Sequence, residues 1–174
     1  ELLVVVSAMG KSTNKLEWIL QAWYQNENLL EESVQEFVNF HNEIIRELFP
    51  DTSNKIYVEF NEWVHQMEEI LEERHTDNYD FDYDRIVSFG ELISTNIIHR
   101  YLEQEGLSSE WWDSRKLIRT DDNWRNGKVD WKKTEEKIQE KQEQKKTKIA
   151  IAQGFIGATR EALTVTLGRE GSDY

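Results

Sequence analysis

No cysteine occurs among the 174 residues. Disulfides, a thiolate nucleophile and Cys-ligated zinc are therefore excluded, and a reducing compartment is compatible with the chain. Long apolar runs are missing too. Leu2-Leu3-Val4-Val5-Val6 is too short to span a membrane or to serve as a signal peptide, so a soluble cytoplasmic protein is the simplest expectation. Positive charge is scarce, with 21 Lys and Arg against 34 Asp and Glu and a formal net charge of −13. That balance argues against a general nucleic-acid binder, which needs a basic face to neutralise phosphates. It leaves room for a small anion held by one or two local cations. The length suits one domain with a substantial core. The chain opens on Glu1 without Met and closes on Tyr174 just past a glycine turn, so both ends read as cut from something longer.

What is present is concentrated at those two ends. Leu163-Thr164-Val165-Thr166-Leu167 is a partly β-branched run that breaks into Gly168-Arg169-Glu170-Gly171-Ser172-Asp173. A strand delivering a tight turn is expected, carrying a guanidinium, a hydroxyl and a carboxylate. Arg presents a planar fork of donors matched to carboxylate or phosphate, and glycines let backbone N–H groups approach a ligand. Asp173 has the chemistry to help place Mg²⁺ beside a polyphosphate. The plain alternative is a solvated loop with Arg169 paired to an acid.

At the other end, the run from Leu2 to Val6 enters Ser7-Ala8-Met9-Gly10-Lys11-Ser12-Thr13-Asn14. A continuous apolar run suits a parallel strand covered on both faces. Leu16, Ile19, Leu20 and Trp23 then follow helical spacing. Strand, glycine loop and helix is the arrangement in which α/β proteins bind ligands at strand carboxyl ends. Gly10-Lys11-Ser12 is not a P-loop, because the motif's first glycine would fall on Val5. The Ser7 and Thr13 hydroxyls and the N–H groups around Gly10 suit an anion or polar ligand. Alternatively, Ser12 or Thr13 simply caps the helix.

Two long amphipathic helices follow. The first carries Val34, Phe37, Val38, His41, Ile44 and Ile45 on one face until Pro50 stops it; the second carries Phe60, Trp63, Val64, Met67, Ile70 and Leu71. The histidines are not spaced as a metal cluster, and the acidic faces read as solvated, although a partner-binding helical pair remains an alternative. Residues 75–84 read as an Asp-rich loop lacking the calcium-loop glycine and terminal Glu. A helix is expected from about 85 to 103, with Phe89-Gly90-Glu91-Leu92-Ile93-Ser94 inside it. Gly in a helix costs about 1 kcal/mol relative to Ala, so Gly90 calls for a close approach of backbone or ligand. Glu91 is a candidate acceptor for a substrate ammonium, against the alternative of an ordinary exposed or ion-paired Glu.

Trp111-Trp112 through Leu117-Ile118 read as a short strand and turn, with the tryptophans more often packing residues than base-stacking ones. Residues 130–148 read as a solvated helix with Lys132/Glu136 and Lys137/Glu140 at pairing distance. Ile149-Ala150-Ile151-Ala152 is a further buried strand leading into Gln153-Gly154-Phe155-Ile156-Gly157. The expected fold is a layered α/β sandwich with a mostly parallel sheet flanked by helices and a helix-rich stretch at about 16–104.

Four of these segments together resemble the aspartokinases of the amino-acid-kinase family. The opening segment is similar to V-V-S-A-M-G-x-T-T-N, the 89–94 segment to F-G-E-x-x-S, the 153–157 segment to Q-G-F-I-G and the last to T-T-L-G-R-G-G-S-D-Y. Trp112-Asp113-Ser114-Arg115 and Thr120-Asp121 match a weaker W-x-D-A-R and T-D pair. The resemblance implies transfer of the ATP γ-phosphoryl group, with Mg²⁺, to the side-chain carboxylate of L-aspartate, the entry to lysine, threonine and methionine synthesis. It implies that Arg169 clamps an aspartate carboxylate, that Thr13 and Glu91 contact its carboxylate and ammonium ends, and that Phe155 and Ser172 line the pocket. Ser7, Gly10 and Gly171 fall toward the nucleotide phosphates. Asp173 is the implied catalytic residue and a metal ligand.

The departures are equally specific. The family's initial K-F-G-G-T strand, its adenine-binding segment and its regulatory ACT domains, through which a homo-oligomer would form, have no counterpart in residues 1–174. Glu170 and Val165 replace Gly and Thr of the signature. The expectation is a single partial amino-acid-kinase domain over residues 1–174, the aspartate-binding half, inactive alone. The alternative is a non-catalytic amino-acid-binding or helical interaction module.

Overall fold

The computed structural model describes residues 2–25 and 27–168. Strands β1 (Leu2–Val6), β2 (Ser109–Trp112) and β3 (Ile149–Gln153) form one parallel sheet in the order β1-β3-β2. A separate antiparallel pair joins β4 (Ile156–Ala158) to β5 (Thr164–Thr166). The last strand expected from the sequence is thus antiparallel to its partner, while the main sheet is parallel.

Between β1 and β2 lies the helical layer: α1 (Ser12–Gln25), a 3₁₀ turn (Glu27–Leu29), α2 (Leu30–Leu48), α3 (Ile56–Glu72), α4 (Tyr79–Val87) and α5 (Phe89–Gln104). Their apolar stripes meet in one core in which Leu16 and Ile19 of α1, Phe37 and Ile45 of α2, Met67 of α3 and Leu92 of α5 are fully buried. The 3.6-residue period of the sequence sets these faces. The chain leaves α2 at Phe49 because Pro50 disfavours a helical residue before it and cannot donate a helix hydrogen bond. Glu59 of α3 pairs with Arg100 of α5 and accepts from Asn96 at 2.9 Å, which ties the third helix to the fifth.

The helix expected at 85–103 is in fact two helices, because α4 begins earlier. Asn78 caps it by accepting from the Phe81 N–H at 3.1 Å, and Ser88 separates it from α5. The Asp-rich segment is therefore half helix, and Asp82 and Asp84 are completely buried in it. After the expected strand, residues 114–117 form a short helix, α6 (Ser114–Leu117), where a turn was expected, capped by the Asp113 carboxylate accepting from the Arg115 N–H. Trp111 donates to the Thr95 hydroxyl at 2.9 Å and Trp112 is buried, so both pack within the fold.

Helix α7 (Trp131–Glu143) is solvated as expected. Its Lys132/Glu136 and Lys137/Glu140 pairs do not close among the described residues; Lys141 instead reaches Glu110. One expectation for β1 is corrected. Leu2, Leu3 and Val5 are 54%, 46% and 46% exposed, so among the described residues this strand is an edge with one neighbour and not a strand covered on both faces.

Candidate active site

The carboxyl ends of β1 and β3 lie side by side, with Val6 in register with Gln153 and the Gly154 N–H donating to the Val6 carbonyl at 3.0 Å. From β1 the chain passes through residues 7–11 into α1; from β3 it turns at Gly154 and Phe155 into β4. Helix α5 is clamped to the first of these loops. The Ser94 hydroxyl donates to the Ser7 carbonyl at 2.8 Å, and the Ala8 N–H donates to Glu91 Oε1 at 3.2 Å. Gly90 permits the approach: a Cβ there would lie 2.9 Å from the Ala8 Cβ and 3.3 Å from Leu16 Cδ1. Gly, Glu and Ser at 90, 91 and 94 are thus one docking face.

Gly90→Ala is expected to destabilise the protein by about 1–3 kcal/mol through overpacking, against the ~1 kcal/mol that Ala contributes to helix propensity. Urea denaturation of the variant checks this, and an unchanged or higher midpoint would contradict the docking role.

Glu91 is 3% exposed, and its Oε2 has no hydrogen-bond partner among the described residues. Burial pushes its carboxyl up to about 7, against the pull of the Ala8 N–H. Buried polar atoms are ordinarily satisfied, so this oxygen is chemically suited to receive a cationic donor such as an ammonium.

The loop is also held from α2. Gly10 has φ of +58°, and a Cβ there would meet Phe40 Cζ at 2.9 Å. The single Ser12 hydroxyl hydrogen has two acceptors in reach, the Met9 carbonyl at 2.7 Å and His41 Nε2 at 3.2 Å. His41 Nδ1, 2.9 Å from the Phe37 carbonyl, must carry a hydrogen, which leaves Nε2 as an acceptor. Burial lowers the His41 pKa to about 4, so it is neutral. Ser12 therefore ties the loop to α2 where a capping role was one of the expectations. The first turn of α1 contains no acidic residue, and a helix N-terminus of this kind favours an anion. Thr13 sits half-buried in that turn, with Ser7 and Gly10 exposed beside it.

Phe155 adopts a left-handed conformation at φ of 63°, which costs energy for a bulky side chain. The Leu167 N–H donates to its carbonyl at 2.8 Å, linking the β3–β4 turn to the end of β5. The structure thus gathers Ser7, Gly10, Thr13 and Glu91 around one loop, with Phe155 at the adjoining strand end. Arg169, Glu170, Gly171, Ser172 and Asp173 lie outside the described residues. Among the described residues no group of three or more His, Asp or Glu is placed to hold a metal ion.

Several contributors were not singled out from sequence. Gln153 accepts from the Ser114 N–H at 2.8 Å and donates to Thr95 at 2.7 Å, bracing the sheet end. His41 reads in sequence as a satisfied or solvated side chain; it is buried, and its partner in the loop is 29 residues away. Asp84 carried no signal beyond an acidic stretch.

The chain belongs to the amino acid kinase family, which it matches over residues 1–174. The aspartokinase of Chlamydia trachomatis serovar D is 31% identical over 171 residues, covering 98% of this chain and 37% of that protein. The bifunctional aspartokinase/homoserine dehydrogenase 2 of Escherichia coli K12 is 28% identical over 175 residues, 99% of this chain and 21% of its own length. Among solved structures, E. coli aspartokinase III in complex with lysine and aspartate (T-state) superposes with a TM-score of 0.85 at 28% identity, covering 99% of this chain and 38% of that one. The same enzyme in complex with aspartate and ADP (R-state) gives a TM-score of 0.83, with 28% identity and the same coverage. The chain therefore spans between 21% and 38% of the length of these relatives.

Proposed function

We propose that the chain forms the aspartate-binding part of an aspartokinase, an enzyme that transfers the ATP γ-phosphoryl group to the side-chain carboxylate of L-aspartate and releases 4-phospho-L-aspartate and ADP. The observation that carries this reading is the buried Glu91 Oε2, without a partner among the described residues, at the carboxyl ends of parallel strands, in a chain that superposes on an aspartate-bound aspartokinase. Glu91 accepts the substrate ammonium, Thr13 and Arg169 the carboxylates, and Phe155 and Ser172 close the pocket. The acidless first turn of α1 with Ser7 and Gly10 faces the phosphates, aided by Gly171.

Such chemistry asks little of a general base. The acceptor is already a carboxylate, so positioning and charge neutralisation dominate. Asp173 is the residue that would hold Mg²⁺, which would supply charge neutralisation to the transferring group, and the residue proposed to orient the reacting groups. No helix of the described residues is long and apolar enough to cross a membrane. A cytoplasmic homo-oligomer is part of the same reading.

The test is aspartyl-hydroxamate formation by the full-length protein with Mg-ATP, L-aspartate and hydroxylamine. Aspartate-dependent product is expected. A folded protein that makes none and binds no aspartate would overturn the reading.

A further inference from the structure

Asp84 is completely buried, and among the described residues its carboxylate makes no ion pair. Its Oδ1 accepts from the Thr166 hydroxyl at 2.6 Å and its Oδ2 from the Arg125 N–H at 2.9 Å. The Arg125 guanidinium is engaged elsewhere, stacked 4.2 Å from the Tyr83 ring centroid and paired with Asp80 at 3.0 Å. Three elements thus converge on one acid: α4, β5 and the loop around residues 121–128.

The geometry continues toward the candidate site. The Thr166 carbonyl accepts from the Gly127 N–H at 3.0 Å, and the next residue, Leu167, donates to Phe155 at 2.8 Å. Gly168 has φ of +84°, and a Cβ there would lie 2.8 Å from Asn126 Oδ1 and 3.3 Å from the Arg125 carbonyl. The loop that Asp84 anchors through Arg125 is therefore the surface on which the end of β5 turns. Arg169 follows Gly168 directly in sequence.

We propose that Asp84 is a positioning residue of the substrate site: by accepting from both Thr166 and Arg125 it fixes the path of the chain from β5 past Phe155 to Gly168, the residue before Arg169 in sequence. This rests on the aspartokinase reading for the identity of the substrate. Asp is suited to the task because an ionised carboxylate accepts at both oxygens and donates nothing. An Asn keeps one acceptor oxygen for the Arg125 N–H and turns its N–H₂ toward Thr166, whose hydroxyl must then accept, so the charge-assisted bond that holds Thr166 is lost.

The experiment compares Asp84→Asn, Thr166→Val and Thr166→Ser in the full-length protein by aspartate calorimetry, steady-state kinetics and amide hydrogen exchange. In Asp84→Asn and Thr166→Val, aspartate affinity falls at least tenfold while the KM for Mg-ATP stays within twofold. Exchange at the Leu167 and Gly127 amides quickens, and exchange in α1 and α5 is unchanged. Thr166→Ser keeps the hydroxyl and restores aspartate affinity to within about threefold of the unmodified protein.

A merely structural Asp84 would lower the melting temperature and leave aspartate affinity unchanged, which overturns the proposal. Unchanged exchange at Leu167 and Gly127 overturns it as well, even where the variants prove too unstable for kinetics. Failure of the unmodified protein to bind aspartate instead sinks the functional reading, and exchange at Leu167 still decides whether Asp84 sets the turn.

Discussion

Glu91→Gln is expected to weaken L-aspartate binding by about thirtyfold or more, since removing one partner of a buried, hydrogen-bonded charge pair costs ~2–5 kcal/mol. Gln keeps an acceptor for the Ala8 N–H and nearly the same volume, so the loop stays docked and the loss reports the ammonium contact alone. Isothermal calorimetry checks it, and affinity within threefold of the unmodified protein would remove Glu91 from the site.

The same residue gives the binding a pH dependence. With its carboxyl pushed up to about 7 in the free protein, Glu91 is largely protonated at pH 6. An ammonium ligand favours the ionised form, so binding expels a proton below pH 7 and affinity rises with pH until it levels above that value. Calorimetry at pH 6 in two buffers of different ionisation enthalpy should show this release, and Glu91→Gln should abolish it.

Stability runs the other way. A carboxyl whose folded pKa lies above its unfolded value of 4.5 favours the native state most when protonated, because the native state then binds more protons than the unfolded one. Its contribution falls as pH rises from 4.5 to about 7 and is flat beyond. Asp84, raised by burial from 3.8 to about 6, adds a decline of the same sign over a lower window. Thermal melts between pH 5 and 8 should therefore show a shallower decline in Glu91→Gln.

Arg169→Ala is expected to be the second large effect, lowering aspartate affinity by about two orders of magnitude or more, within the ~2–5 kcal/mol that a desolvated charge pair loses on truncation. Lys in its place should recover only part of that, because a point ammonium cannot make two parallel hydrogen bonds to one carboxylate. Glu170, next in sequence, adds a negative charge where the family signature has Gly; Glu170→Gly, which restores that signature, should bind aspartate at least as tightly. Unchanged binding by a folded Arg169→Ala variant would remove Arg169 from the site.

The helical layer was legible because burial in α1, α2 and α3 follows a 3.6-residue period that no other element can satisfy. The break at Ser88 was not, since Ile86, Phe89 and Ile93 continue an apolar rhythm across it, and only the Asn78 cap and the burial of Asp82 and Asp84 fix α4. A four-residue helix after Asp113 is too short to leave a period at all.

By itself the sequence determined the α/β class, the glycine loop after β1, the family resemblance and the choice of Glu91 as a candidate, because these depend on local periodicity and on residue types at fixed spacing. Tertiary structure alone decided that Gly90 exists to admit Ala8, that His41 reaches Ser12, that β1 is an edge among the described strands, and that Asp84 joins α4 to Thr166 across 82 residues. These are contacts between segments far apart in the chain. Local sequence cannot encode a partner whose distance along the chain is set only when the layers close on each other.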